Sequence, residues 1–351
     1  AGDLILVTNG NGAATVVNNA AIDFGTSNVG GALDVTASAG TITQNGGALT
    51  VAGTSAFTTS TNDQAITLSN TTNALTGAVA FTTGGTAGNV VIDNGTTGLD
   101  LAASTINGTL TATGGASAGI VDSGNVAVAG NVTLTTDAGN GVINMGTLQQ
   151  SAGDLILVTN GTGAATVVNN AGIDFGTSNV GGALSATASA GNITQNGGAI
   201  TVAGTSSFIL GANSANVVLD HASNAFSGAV TLLAGAGGSQ AFGNVTFVDD
   251  SAVKIDANAD AAGDLYLNAG TDGAVGGNLA VTATTGNITQ GVAVAVTGTS
   301  AFTTSATDAT ITLGTTTNAL GGTVAFTTAG TAGNVVIDNG TTGLDLAAST
   351  I

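Results

Sequence analysis

Few residues in this chain could do chemistry, and they are thinly spread. The single cation is Lys254, in SAVKIDANAD, and Arg, Glu and Cys are absent. Solenoid lyases acting on acidic polysaccharides need an Arg or Lys base beside an acidic Ca²⁺ cluster. A lone Lys without any Arg reads instead as a solvated surface charge. The only His, His221, follows Asp220 in VVLDHASN. Adjacent residues on a strand point to opposite faces, so on a strand this pair cannot orient one another. Glycosidase-style carboxylate pairs have no Glu to draw on, and the Asp residues are scattered. Asp256-Ala-Asn258-Ala-Asp260 has the D-x-N-x-D opening of a calcium loop. Its sixth position is Ala261 where Gly is needed, and its twelfth is Leu267 where a bidentate Glu belongs. It reads as an Asx-rich corner. Gly10-Asn-Gly12 is half of a dinucleotide fingerprint with no helix to follow, and Tyr266 and Met145, each unique, read as packing. No catalytic, cofactor-binding or metal residue is assigned, and no enzyme is expected. Ca²⁺ or another divalent cation at Asp-rich corners is the one cofactor left to consider.

The charge balance narrows the partners. All 20 acidic residues are Asp, and the net charge is −19. Nucleic-acid affinity rests on Lys and Arg, so a phosphate-backbone binder is excluded. Anionic membrane surfaces are disfavoured for the same reason. No apolar run approaches the roughly 18 residues of a spanning helix, so no membrane insertion is expected. Glu and Arg are absent and Lys occurs once, while Gly accounts for 57 residues and Pro for none. Asp, Asn and Gly favour turns, so the composition argues against any substantial helix. Aromatics are only 3% of the chain, which leaves a narrow interior of Val, Leu, Ile, Ala and a few Phe.

What must position these residues is a repeat. GGALDVTASAGTITQ (30–44) returns as GGALSATASAGNITQ (181–195) and as GGNLAVTATTGNITQ (276–290). AGDLILVTNG stands at 1 and at 152, an offset of 151, and Ile288 follows Ile193 by 95. VAFTTGGTAGNVVIDNGTTGLDLAASTI (79–106) returns with one change at 324–351, an offset of 245. Taken as eight, five and thirteen units, these offsets share a period of about 19 residues, and the third copy has lost three whole units. Within a unit, short runs such as NVVID, LDLAAS, TLTAT and GIVDS alternate apolar with small polar residues, as half-buried strands do. NG, DNG, GG and AGNG between them supply the positive φ of sharp corners. The reading is an all-β, right-handed parallel β-helix with about 19 residues per coil and roughly 18 coils. It spans 1–351 as one continuous excerpt of a longer repeat protein, in long repeats 1–151, 152–246 and 247–351. Leu33, Val35 and Ile42 are expected inside, as are Phe57, Phe208 and Phe302, and Phe24 and Phe175.

The unit G-G-x-L-x-V-T-A-x-x-G-x-I-T-Q, followed by ALTVAGTSAF, resembles the repeats of filamentous-haemagglutinin-like exoproteins, large bacterial surface adhesins commonly exported by two-partner secretion. The resemblance covers essentially the whole chain. It implies a right-handed β-helix, secretion to the cell surface, and roles in attachment, biofilm or cell–cell contact. The expected function is therefore a non-catalytic structural or adhesive extracellular fibre. Self-association into filaments or bundles, and a glycan or other receptor on a cell surface, are the expected partners. Two alternatives stand beside it. One is an ice-binding solenoid, on pairs such as Thr109-Leu110-Thr111 and Thr133-Leu134-Thr135. The other is a polysaccharide-degrading β-helix, which the missing Arg argues against.

Overall fold

In LDVTA, residues 33–37, alternation places Leu33, Val35 and Ala37 on one side of a strand. All three are buried, with Asp34 and Thr36 outward. The same two-residue alternation recurs in strand after strand, and each strand hydrogen-bonds in parallel to one a coil away. The structure, a computed structural model, describes residues 2–115, 118–137, 139–235, 240–269 and 273–351. Among them there is no helix, and every ladder is parallel. The chain is an all-β parallel β-solenoid in two compact units, Ala1–Asn170 and Ala171–Ile351.

In the first unit one sheet stacks Ala14–Asn18, Leu33–Ala37, Ser55–Asn62 and Val79–Gly84. A second stacks Ile22–Phe24, Ile42–Gln44, Ile66–Leu68, Val90–Asp93, Leu110–Gly114, Val132–Thr136 and Leu155–Val158. The six steps from Ile22 to Leu155 cover 133 residues (155 − 22), or about 22 per coil. That corrects the expected 19. The coils number about 15, not 18, and an offset of 151 is close to seven coils rather than eight. An offset divisible both ways cannot by itself choose, and the ladder registers do.

The deletion by whole units is also corrected. In the second unit LSATA (184–188) lies in one sheet and the following ITQ (193–195) in the other. LAVTA (279–283) stacks instead, through Val245–Asp249 and Val217–Leu219, on that first ITQ. The third copy is thus displaced by half a turn.

The interior is mainly apolar. All ten Phe are at most 2% exposed, and Met145 is fully buried. Phe24, Phe57 and Phe81 pack in series with ring centroids 6.3 and 5.8 Å apart. Phe175, Phe208, Phe226 and Phe247 do likewise at 5.9, 5.9 and 5.5 Å, and Phe302 meets Phe326 at 6.0 Å. Burying one such side chain contributes about 1.5–3 kcal/mol. Corners need glycine where coils press together. A Cβ on Gly77 would sit 2.4 Å from the Gly53 carbonyl oxygen. The NG and DNG corners do take positive φ, at Gly10 and Gly95, and in AGNG so do Gly139 and Asn140, Ala138 lying outside the described residues.

Asparagine closes the corners from inside. Asn73, Asn94, Asn169, Asn224, Asn318 and Asn339 each accept, through Oδ1, a backbone N–H from the preceding coil at 2.8–2.9 Å. Three of them form reciprocal amide pairs with the Gln of an ITQ run: Gln44 with Asn73, Gln195 with Asn224, Gln290 with Asn318. A buried polar group left unpaired costs about 1–3 kcal/mol, so these pairs satisfy what the narrow interior would otherwise penalise.

Candidate functional site

The residues that depart most from the repeat lie where the winding itself is interrupted. In the second unit the strand Val230–Ala234 does not pair with the next strand of its own sheet, Val253–Asp256. Its neighbour is Asp264–Asn268, which pairs in turn with Val253–Asp256, and that strand with Ile288–Gln290. The later strand is inserted between two earlier ones. Lys254 faces Asp264 only ten residues on, whereas the other described ladders join residues 19 to 35 apart. A tight loop makes this return: Gly263 has φ +81 and its carbonyl accepts the Lys254 N–H at 2.8 Å. The Asp264 carboxylate accepts the Ala261 N–H at 2.8 Å.

Lys254, Asp256 and Tyr266 therefore stand on one outward surface. Asp256 is opposite Tyr266 in the ladder, and Tyr266 is opposite Thr231 on its other side. Lys254 is ion-paired to Asp256, and its Nζ lies 3.8 Å from Asp264 Oδ1. The Asp256 hydrogen bond holds the Lys254 ammonium above its ordinary range, and the same bond holds the Asp256 carboxyl below its own. Both directions agree. An exposed pair of this kind adds little stability, and its effect is to fix the Lys side chain over the patch.

In the stretch Asp256-Ala-Asn258-Ala-Asp260, read as an Asx-rich corner, Asp256 is engaged by Lys254, and Asn258 Nδ2 donates to Asp260 at 3.0 Å. Among the described residues, no group of three or more His, Cys, Asp or Glu is placed to hold a metal ion. Asp220 and His221 lie beyond the strand Val217–Leu219 and not on a strand as expected; His221 leads into a turn, where its carbonyl accepts the Asn224 N–H at 3.0 Å and its Nδ1 the Ser223 N–H at 3.1 Å. Gly10 and Gly12 form a turn that leads into the strand Ala14–Asn18. Tyr266 is half-buried on the outer face of its strand, and Met145 is fully buried. Nothing local in the sequence pairs Tyr266 with Asp256, because that contact depends on the inserted strand.

Near the break, Asp249 takes a corner position that Asn fills elsewhere. Its Oδ1 accepts the Phe226 and Asp250 N–H groups at 2.9 Å, and its Oδ2 accepts the Ser251 hydroxyl at 2.7 Å. Burial pushes this carboxyl above its ordinary range despite those bonds.

Stacked parallel coils around an apolar interior, with no helix among the described residues, define a β-solenoid repeat protein. The chain belongs to the family described as Repeats of unknown function (DUF5649), which it matches over residues 11–82, 87–159, 162–233 and 242–327. No curated protein and no solved structure matches the chain. The family repeats begin 76, 75 and 80 residues apart. At about 22 residues per coil the first two intervals are near three and a half coils, so equivalent strands alternate between the two sheets. In the first unit Leu33–Ala37 lies in one sheet, and Leu110–Gly114, at the same place in the second repeat, lies in the other.

Proposed function

We propose that this protein is a non-catalytic structural and adhesive module of a bacterial cell-surface or secreted fibre, of the kind seen in filamentous-haemagglutinin-like exoproteins. Its stacked coils act as a stiff spacer and contact surface for attachment, cell–cell contact or matrix formation. One observation carries the reading. The residues able to do chemistry are engaged in structural bonds, while the outward positions repeat short side chains from coil to coil. In the first unit Thr36, Thr58, Thr82 and Thr105 form a column beside Ala56, Ala80 and Ala102. In the second unit Thr282, Thr303, Thr327 and Thr350 form one beside Ala280, Ala301 and Ala325. Repetition of this kind builds surface, whereas catalysis needs a few convergent groups in a cleft. The test is retention of bacterial or host cells on beads coated with the full chain. Saturable retention above albumin-coated beads is expected, and equality with them overturns the reading.

The same columns favour ice binding as a second reading, since Thr hydroxyls and methyls repeat at the coil spacing of about 4.8 Å. Against it, each four-coil column is one Thr wide, and side-by-side Thr pairs stack only as Thr111/Thr113 on Thr133/Thr135 in the first unit. A thermal-hysteresis gap at millimolar protein supports this reading, and the absence of a gap removes it.

A further inference from the structure

We infer that the first and last coils present complementary open faces, and that copies of this chain associate head to tail by stacking one face on the other. The inference rests on the solenoid fold and goes beyond the adhesive reading, with a test of its own. The contact is between copies.

Internal copies of both coils show what covers them. Residues 2–33 differ from 153–184 only in Asn11 against Thr162 and Ala21 against Gly172, and 324–351 differ from 79–106 only in Ala329 against Gly84. Within the chain, Leu155–Val158 and Ala165–Asn169 stack on Val132–Thr136 and Ile143–Gln150. Leu157 and Val167 are then fully buried, while their counterparts Leu6 and Val16 in the first coil are only half-buried. At the other face Leu344, Leu346 and Ile351 are 40, 58 and 69% exposed. Their counterparts Leu99, Leu101 and Ile106, covered by the following coil, are at most 1% exposed. Both faces therefore show solvent the apolar residues that a further coil buries elsewhere.

Backbone bonding makes the two faces complementary. One column runs from the Val90 N–H to the Thr109 carbonyl, from Leu110 to Asn131 and from Val132 to Asp154, at 2.8–2.9 Å. A second runs from Leu99 to Gly119, from Ile120 to Val142 and from Ile143 to Ala164, again at 2.8–2.9 Å. By their places in the copies, Val335 and Leu344 are the next donors of these columns, and the Asp3 and Ala13 carbonyls the next acceptors. The spacing fits as well. Val335 and Leu344 are nine residues apart and Asp3 and Ala13 ten, as are the bonded pairs Val90 and Leu99 over Thr109 and Gly119. An open strand edge of this kind templates further strands. Because the two faces differ, the contact is heterologous and passes on to further copies instead of stopping at a dimer.

The same columns set the register. Val90, Leu110, Val132 and Leu155 share one ladder column, so Val335 of one copy falls opposite Leu4 of the next, and Val336 opposite Ile5. Ile5 and Val336 are both exposed, and neighbouring strands lie about 4.8 Å apart. Leu4 and Leu6 bond to the second coil, so Ile5 turns its own N–H to the open edge. Charge opposes the contact at low salt, since every copy carries −19, and screening favours it.

The chain has no Cys, so introduced thiols report on this contact alone. The full chain is followed by sedimentation velocity over protein and salt concentration. Expected is a mean mass that rises with protein concentration, and rises further from about 0.01 to 0.15 M salt as the Debye length shortens from about 30 to 8 Å. On mild oxidation, Ile5→Cys mixed with Val336→Cys should give a disulfide-linked heterodimer in excess of either homodimer, since disulfides span Cα separations of about 4.4–6.8 Å. The double variant should give covalent trimers and longer species. Ile5→Pro, which removes an N–H from the open edge, should weaken association on the order of tenfold. Should that variant fold poorly, the thiol pair carries the test. A monomer at every concentration and salt, or homodimers equal to the mixed pair, overturns the inference. Head-to-tail crosslinks without cell retention on beads leave it standing and sink the adhesive reading, and retention by a strictly monomeric chain does the reverse.

Discussion

At Asp249 an acid holds a corner that asparagine holds in six other places, and the difference is chemical. Asparagine accepts one backbone N–H and also donates: Asn94 Nδ2 gives hydrogen bonds to the Leu75 and Gly98 carbonyls at 3.0 and 2.8 Å. An ionised Asp249 only accepts, and burial raises its pKa. Its ionisation therefore opposes folding in full above that raised pKa, and the penalty declines as pH falls from there to the ordinary carboxylate range. Asp63 and Asp308 have the opposite sign. Each sits at φ 61 and accepts two backbone N–H groups from the next coil, which holds its carboxyl below the ordinary range. Their contribution is present above the ordinary carboxylate pKa of about 3.9 and is lost only as pH falls below it. The second unit should thus gain stability on mild acidification before losing it under stronger acid. Asp249→Asn is expected to stabilise by about 1–2 kcal/mol at pH 7, the scale of one restored buried hydrogen bond. It should also flatten the rise in urea midpoints that the unsubstituted protein shows on mild acidification. A midpoint unchanged or lowered at pH 7 would show that the acid is not a burden at this corner.

Strands were legible in the sequence because alternation is local. Leu33, Val35 and Ile42 are inside, as are Phe24, Phe57, Phe175, Phe208 and Phe302, each marked by its own neighbours two residues away. The coil length was not legible. Strand signals nine or ten residues apart suggest two strands per coil, but the coil that holds Leu33–Ala37 also holds Ile42–Gln44 and Leu49–Val51, three strands with three corners. A repeat offset then fits seven long coils as well as eight short ones. The half-turn alternation of family repeats was equally hidden, because a sequence carries no phase between one strand and the next. The inner Gln–Asn pairs had a usable signal: each ITQ run is followed 28 or 29 residues later by Asn-Ala, as Gln44 by Asn73 and Gln290 by Asn318. At the candidate site Lys254 and Asp256 stood out by type, but what they do depends on Asp264 and Tyr266 arriving in register through an inserted strand. Such a register is set by packing over the whole unit.

For the molecule as a whole, a single Lys and no Arg leave one tryptic bond in 351 residues, after Lys254. That bond lies within a strand paired on both sides, to Asp264–Asn268 and to Ile288–Gln290, and the Lys254 N–H is itself hydrogen-bonded. A protease needs several residues extended and free in its cleft, so cleavage requires this part of the second unit to open. Native protein should resist trypsin. Under denaturant it should yield two fragments, 1–254 and 255–351, at a rate that follows the open population and not the exposure of the Lys side chain. Rapid cutting in native buffer, or more than these two fragments, would contradict the ladder around Lys254.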